Sequence, residues 1–431
     1  MAGRTPLLTV KRLLALAALS AAVLLAGVAV VLGRDLSARA LPPVDPAARV
    51  DVASALVERG AYLARAGNCA ACHTARGGLP YAGGRPLVTP FGTVFASNLT
   101  PDDDTGLGRW SADAFWRAMH LGQSRDGRLL VPAFPYDSTT RITREDSDAL
   151  YAFLKSLPAV NQAATPHALR WPYNTQLALA AWRALYFKPE AFVADTGQSA
   201  EWNRGAYLVR GLGHCAACHA TRDVMGGVVA DGEFSGGQLP EPGWYAPSLH
   251  AQTEGSVTHW ETQRIVNLLR DGLAHEASAV GPMAEVVFGS TQHLSEPDLR
   301  AMAIYLQSLA PRPVTPVAFE PARGDQRELG ARVYEQRCAD CHGEQGQGAA
   351  GIYPALAGNR AVTQASAANP VLVVLGGGFP PATAGNSQPF GMPPYRTLLT
   401  DAEIAAVVTH LRQSWGNQAS AVPSQAVQRL R

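Results

Sequence analysis

The pattern of hydrophobic and polar positions divides the chain into one long apolar run and a set of short amphipathic segments that recur three times. From Leu13 to Leu32 the sequence LLALAALSAAVLLAGVAVVL carries no charge, with Arg4, Lys11 and Arg12 before it and Arg34 and Asp35 after it. At about 1.5 Å per residue this run matches a bilayer hydrocarbon core of about 30 Å, whereas a cleavable signal has an apolar region of only about 7 to 15 residues. The pattern predicts a transmembrane helix over 13–33, with residues 1–12 in the cytoplasm and the remainder outside, because flanking positive residues stay inside. A signal sequence cut after Ala38-Arg39-Ala40 is the alternative.

Beyond this run, Arg59-Gly60-Ala61-Tyr62-Leu63 reappears as Arg204-Gly205-Ala206-Tyr207-Leu208, and Gly330 to Tyr334 echoes it. Each copy reads as a helix presenting aromatic and aliphatic residues to a core. Each unit also ends in a segment with apolar residues at helical spacing. Thr143, Ser295 and Thr400 precede these segments, each with an acid three residues on (Asp146, Asp298, Glu403), an arrangement that resembles a capping box. Between the first two units, Asn174 to Phe187 is a mostly apolar helical candidate with Trp182 and Tyr186. It could pack between those units, dock a partner or lie at a bilayer surface. Pro-containing stretches such as Ala310-Pro311-Arg312-Pro313 mark linkers. The resulting expectation is a mainly α chain with units at 50–160, 198–312 and 322–418, and a linker at 161–197.

Composition adds that 47% hydrophobic and 16% charged residues suffice for packed cores, and that a formal net charge of +1 makes nucleic acid an unsuitable partner. The six cysteines change the picture more. They fall as Cys69/Cys72, Cys215/Cys218 and Cys338/Cys341, and each C-x-x-C is followed at once by a histidine: His73, His219 and His342. C-x-x-C-H attaches c-type haem, with two thioethers holding the porphyrin edge and the histidine supplying an axial nitrogen to iron. Zinc sites would require further ligand pairs that the chain does not arrange, and a thioredoxin-like pair has no use for the adjacent histidine or for a threefold recurrence. Three covalently bound haems c use every cysteine.

The remaining iron ligand is sought among methionines, whose soft sulfur suits low-spin haem iron and raises its potential. Met283 in Gly281-Pro282-Met283 and Met392 in Gly391-Met392-Pro393-Pro394-Tyr395 stand before the closing helices, on what reads as loop. Met225 and Met302 are rivals for the second haem, Met302 reading as core. In the first unit Pro132-Ala133-Phe134-Pro135-Tyr136 has the layout of the third unit's loop, but Phe134 stands where methionine is expected. Met119, His120 or no protein group remains open for that iron, with Met119 expected to face the core and His120 the surface. The second ring nitrogen of each proximal histidine needs a carbonyl, for which Pro247-Ser248-Leu249, Pro354-Ala355-Leu356 and Ser97-Asn98-Leu99 are candidates.

With these motifs in place the chain resembles the membrane-bound three-haem cytochrome c subunits of bacterial periplasmic dehydrogenases of alcohol, gluconate, sorbitol and aldehyde, and the cytochrome subunits paired with molybdenum hydroxylases. The resemblance rests on Arg59 to His73, Ala96 to Asp102, Trp202 to His219, Gly281 to Val287, and Ser414-Trp415-Gly416-Asn417. It implies three tandem cytochrome c-type domains behind the N-terminal helix, in the bacterial inner membrane and facing the periplasm. It also implies a catalytic dehydrogenase partner (a quinoprotein, flavoprotein or molybdenum enzyme), and ubiquinone or a terminal oxidase as acceptor. The absence of a substrate-activating constellation leaves the chain as electron-transfer subunit rather than catalytic subunit. A haem enzyme with an open first iron and an independent multihaem shuttle are the alternatives.

Overall fold

The computed structural model describes residues 54–240, 243–274, 277–312, 318–349 and 351–431, with a few isolated positions before residue 54. The expected cytoplasmic segment and the apolar run Leu13–Leu32 lie outside the described residues, save Ala15, Leu16, Gly27 and Ala29 in the run. Among the described residues no helix is long and apolar enough to cross a membrane.

The fold is mainly helical and follows the recurrence in the sequence. The longer helices are α1 (Ser54–Ala66), α2 (Ala112–Leu121), α3 (Arg144–Ser156), α4 (Gln176–Tyr186), α5 (Ala200–Arg210), α6 (Thr262–Asp271), α7 (Pro282–Gly289), α8 (Glu296–Gln307), α9 (Gly324–Arg337), α10 (Ala368–Gly376) and α11 (Asp401–Gln413). The closest pairings are α1 with α3, α5 with α8, and α9 with α11. Each pair brings the first helix of a repeat onto its closing helix over a hydrophobic core of its own. Leu63, Phe115, Met119 and Leu150 belong to the first core, Leu208, Ile265, Leu299 and Met302 to the second, and Val333, Leu375, Ile404 and Val408 to the third.

The glycine of the repeated motif explains how closely these helices cross. A Cβ on Gly60, Gly205 or Gly330 would collide with the carbonyl oxygen of Ala149, Ala301 or Ala406 respectively, so only glycine lets the paired backbones touch. The N-caps expected at the closing helices are present: the Thr143, Ser295 and Thr400 side chains accept from the backbone N–H of Asp146, Asp298 and Glu403. The reciprocal half of the capping box forms only at Glu403. Asp146 and Asp298 are drawn away by charge: Asp146 accepts from Arg59 Nε at 2.8 Å, and Asp298 from Arg204 at 2.8 and 2.7 Å.

The same two carboxylates join the first two units. Tyr62 donates its hydroxyl to Asp298 at 2.6 Å and Tyr207 donates to Asp146 at 2.5 Å, a reciprocal exchange between corresponding residues. The second and third units meet where Arg360 donates to the Ser256 carbonyl at 2.5 Å and lies over the Trp260 ring, and where Asn369 bonds both the N–H and the C=O of Tyr245 at 2.8 Å.

Helix α4, capped by Thr175, packs between the first two units. Arg183 donates to the Leu121 carbonyl on one side, while Trp182 donates to the Met225 carbonyl and Tyr186 to Asp223 on the other. A short antiparallel sheet, β1 (Pro86–Thr89), β2 (Gly92–Phe95) and β3 (Ala168–Leu169), ties the linker to the first unit.

Candidate haem-binding centres

Each C-x-x-C-H forms a single helical turn at the end of the first helix of its unit: Cys69–His73, Ala216–His219 with Cys215 as its N-cap, and Ala339–His342 with Cys338 as its N-cap. A left-handed residue turns the chain into the first two motifs, Asn68 at φ 47° and His214 at φ 35°. Asparagine tolerates that region. His214, though beside Cys215, faces the first unit, with its Nε2 3.2 Å from the Gly67 carbonyl.

The histidine of each motif lies against the carbonyl anticipated for it. Nδ1 lies 2.7 Å from the Ser97 oxygen in His73, 2.7 Å from the Pro247 oxygen in His219, and 3.0 Å from the Pro354 oxygen in His342. A carbonyl can only accept, so Nδ1 carries the proton in each ring and Nε2 keeps its lone pair. Burial pushes the basicity of all three imidazoles down, with the carbonyl contact as a smaller opposing effect, so the rings are held neutral, the form that ligates iron. Burial also pushes the Cys69 and Cys215 thiols up to about 12 and the Cys338 thiol to about 11. Among the described residues no group of three or more His, Cys, Asp or Glu side chains is gathered as a metal-ion cage would require.

The second centre opens onto a cavity of about 280 Å³ lined by Cys215, Cys218, His219, Leu249, Trp260, Leu269, Met283 and Met302. Its apolar walls, with a histidine and a thioether among them, suit a flat hydrophobic macrocycle. Met283 stands in the first turn of α7 rather than in the expected loop, because Pro282, with its fixed φ and missing N–H, is well placed to start a helix. Met302 on α8 also lines the cavity but is 3% exposed within the second core, whereas Met225 lies exposed against α4 and outside the cavity. Met392 exchanges backbone hydrogen bonds with Gly378 at 2.8 and 3.0 Å, and packs on the same core as Cys338 and Tyr395.

In the first unit Met119 is 8% exposed in a core that Cys69, Leu99 and Phe134 also pack against. His120 is not the surface residue expected. Its ring stacks on Trp116 at 4.5 Å between centroids, and burial lowers its basicity against the opposing effect of a backbone hydrogen bond to Thr140. Met119 thus belongs to the core on which Cys69 and Phe134 also pack, and His120 lies against a tryptophan.

Local sequence spacing did not foretell that the third unit helps wall the second cavity. Arg360, Ala361, Gln364 and Asn369 line it, as does Asn68 of the first unit. No periodic signal links these residues to Cys215, and only the packing of the units brings them there.

The cytochrome c family model matches residues 57–158 and 328–415. The gluconate 2-dehydrogenase cytochrome c subunit of Pantoea cypripedii is 37% identical over 385 residues, covering 85% of this chain and 87% of that subunit. The cytochrome c subunit of the quinone alcohol dehydrogenase of Gluconobacter oxydans is 36% identical, covering 88% of this chain and 83% of that subunit. A nicotinate dehydrogenase subunit of Pseudomonas putida is 40% identical over 377 residues, which cover 86% of this chain, and the chain spans 31% of that protein's length.

Proposed function

The chain belongs to the cytochrome c subunits of dehydrogenases, and from that premise we propose that it carries three covalently bound haems c and conducts electrons from a periplasmic catalytic subunit to ubiquinone or a terminal oxidase. The relatives support a catalytic dehydrogenase as partner, and haem c as cofactor follows from the family. The proposal extends to three tandem cytochrome c-type domains, an inner-membrane anchor at Leu13–Leu32, and haem domains in the periplasm.

The observation that carries the reading is the threefold repetition of a neutral histidine whose Nδ1–H is fixed by a carbonyl, one residue after a C-x-x-C pair. Cys69, Cys72, Cys215, Cys218, Cys338 and Cys341 attach the cofactors, while His73, His219 and His342 hold the iron on one face. Met283 and Met392 offer thioether sulfur to the second and third irons and bias them to higher potential. A bound haem c supplies a one-electron iron couple, and the apolar walls exclude water around it. The polypeptide itself keeps each imidazole in one tautomer and orientation, and sets the spacing of the centres through the Tyr62–Asp298 and Arg360–Ser256 contacts.

A redox titration of the purified chain tests this. The expected result is three one-electron steps in the haem absorption, with reduction when a catalytic subunit and its substrate are added. A chain that stays oxidised beside its co-purified subunit and substrate would contradict it. A second reading draws on Phe134, which packs on the same core as Cys69 and has no ligating atom: the first iron would accept a small exogenous molecule. Carbon monoxide added to the reduced chain decides it, since a shift in one third of the haem absorption supports that reading and no shift removes it.

A further inference from the structure

Helix α4 has one face that the rest of the described chain leaves bare. Leu179, Ala180 and Arg183 are buried, whereas Leu177 and Leu185 are 58% and 72% exposed, and Ala181 and Ala184 between them are exposed as well. These four fall at i, i+4, i+7 and i+8, a single stripe along the helix. Trp171, 81% exposed, precedes the helix, and the exposed Lys188 follows it at the end of the stripe. Val224, 92% exposed, belongs to the loop that Trp182 and Tyr186 hold against the helix. A run of large apolar groups bordered by an indole and a lysine marks an interaction surface.

The place where the N-terminal run joins the folded part selects the occupant. Leu41 donates its N–H to the Arg125 carbonyl at 2.8 Å. The Arg125 loop is tied directly to α4, because Gln176 accepts from the Leu129 N–H at 2.7 Å and donates to the Leu129 carbonyl at 3.3 Å. Leu41 therefore stands one loop from α4. Nine peptide steps from Leu32 to Leu41 reach at most about 30 Å even when fully extended, so the apolar run ends within that distance of the loop. A membrane holding Leu13–Leu32 is thereby within reach of the bare stripe. The character of the stripe fits an interfacial helix: an apolar face flanked in sequence by an exposed tryptophan and an exposed lysine, the residue types that favour the headgroup boundary.

We propose that α4 lies on the outer leaflet of the lipid bilayer with Leu177 and Leu185 in the headgroup and acyl boundary, so that the second attachment fixes the orientation of the first two units relative to the membrane. This rests on the anchoring role proposed for Leu13–Leu32. The test uses the full-length chain with its haems, reconstituted in vesicles of phosphatidylcholine and phosphatidylglycerol that include a phosphatidylcholine with a diazirine near the headgroup end of its acyl chain. After irradiation and digestion, lipid adducts are mapped by mass spectrometry. Adducts are expected in 13–32 and in the α4 peptide, the latter at least about tenfold above the exposed surface of α9. Leu177→Glu together with Leu185→Glu should abolish the α4 adducts while leaving those in 13–32. Adducts in 13–32 with none in α4 would overturn the proposal, leave the anchor standing and indicate a protein as the cover. Adducts in neither segment would overturn both.

Discussion

The side chains that matter most are those whose polar atoms have one exact assignment of donor and acceptor. The Nδ1–H to carbonyl bonds of His73, His219 and His342 fix tautomer and ring plane together. These residues, and the carbonyls that hold them, were legible in the sequence because each C-x-x-C-H and the segment that supplies its carbonyl lie within a short stretch of chain. The roles of Asp146 and Asp298 were not. They read as capping acids, and the arginines and tyrosines that claim them stand in distant or different units. For Met283, substitution by alanine is expected to lower the midpoint potential of one haem and leave the other two unmoved, as checked by spectroelectrochemical titration. Asp298 yields a pH-dependent prediction. Burial alone would raise its carboxyl, but hydrogen bonds from Arg204 and Tyr62 hold it below the ordinary value. A depressed folded value means that the stabilisation is present at pH above the unfolded value of about 4 and is lost as pH falls through the lower folded value. Asp298→Asn should therefore destabilise the chain by about 2 kcal/mol at neutral pH, and the difference from the parent in denaturant unfolding should shrink steadily in acid. A difference that persists unchanged in acid would show that the charge is not what matters.

For the helices, the repeated glycine decides how each unit closes. The repetition of Arg-Gly-Ala-Tyr-Leu was plain in the sequence, but the reason for its glycine was not, since the carbonyl it faces belongs to a helix about 80 to 100 residues later. Gly205→Val would force α5 away from Ala301 and should cost about 3 kcal/mol, as overpacking in a tight contact does; the same change at exposed Gly324, which meets nothing within 4 Å, should cost far less. Equal effects at both positions would remove the close-approach explanation. At the third closing helix, Thr400→Ala deletes a complete capping box and should cost about 1 kcal/mol, measurable as a lowered denaturation midpoint. The ambiguity over Asn174 to Phe187 also belongs here. Periodicity shows that a helix has an apolar face but not how wide it is, and α4 turns out to have apolar residues on both its packed and its bare sides.

Across the molecule, the second unit contacts both neighbours, through the reciprocal tyrosine–aspartate exchange on one side and through Arg360 and Asn369 on the other. Residues of all three units line the cavity beside Cys215 and His219. This arrangement sets the cavity of the second motif against both neighbouring repeats. Arg360→Ala removes the contact over Trp260 and the bond to Ser256, and should slow electron exchange between the second and third centres without changing haem content; stopped-flow reduction resolved by centre checks it. The mainly helical character and the recurrence of the motifs could be read along the chain, whereas the contacts between the repeats depend on surfaces that no local pattern announces. The central claim is that three haems are bonded covalently to this polypeptide, and the mass of the mature chain after acid-acetone extraction tests it most directly. Three haem groups retained above the polypeptide mass is the predicted result. Retention of fewer, or their complete removal by the solvent, would contradict it.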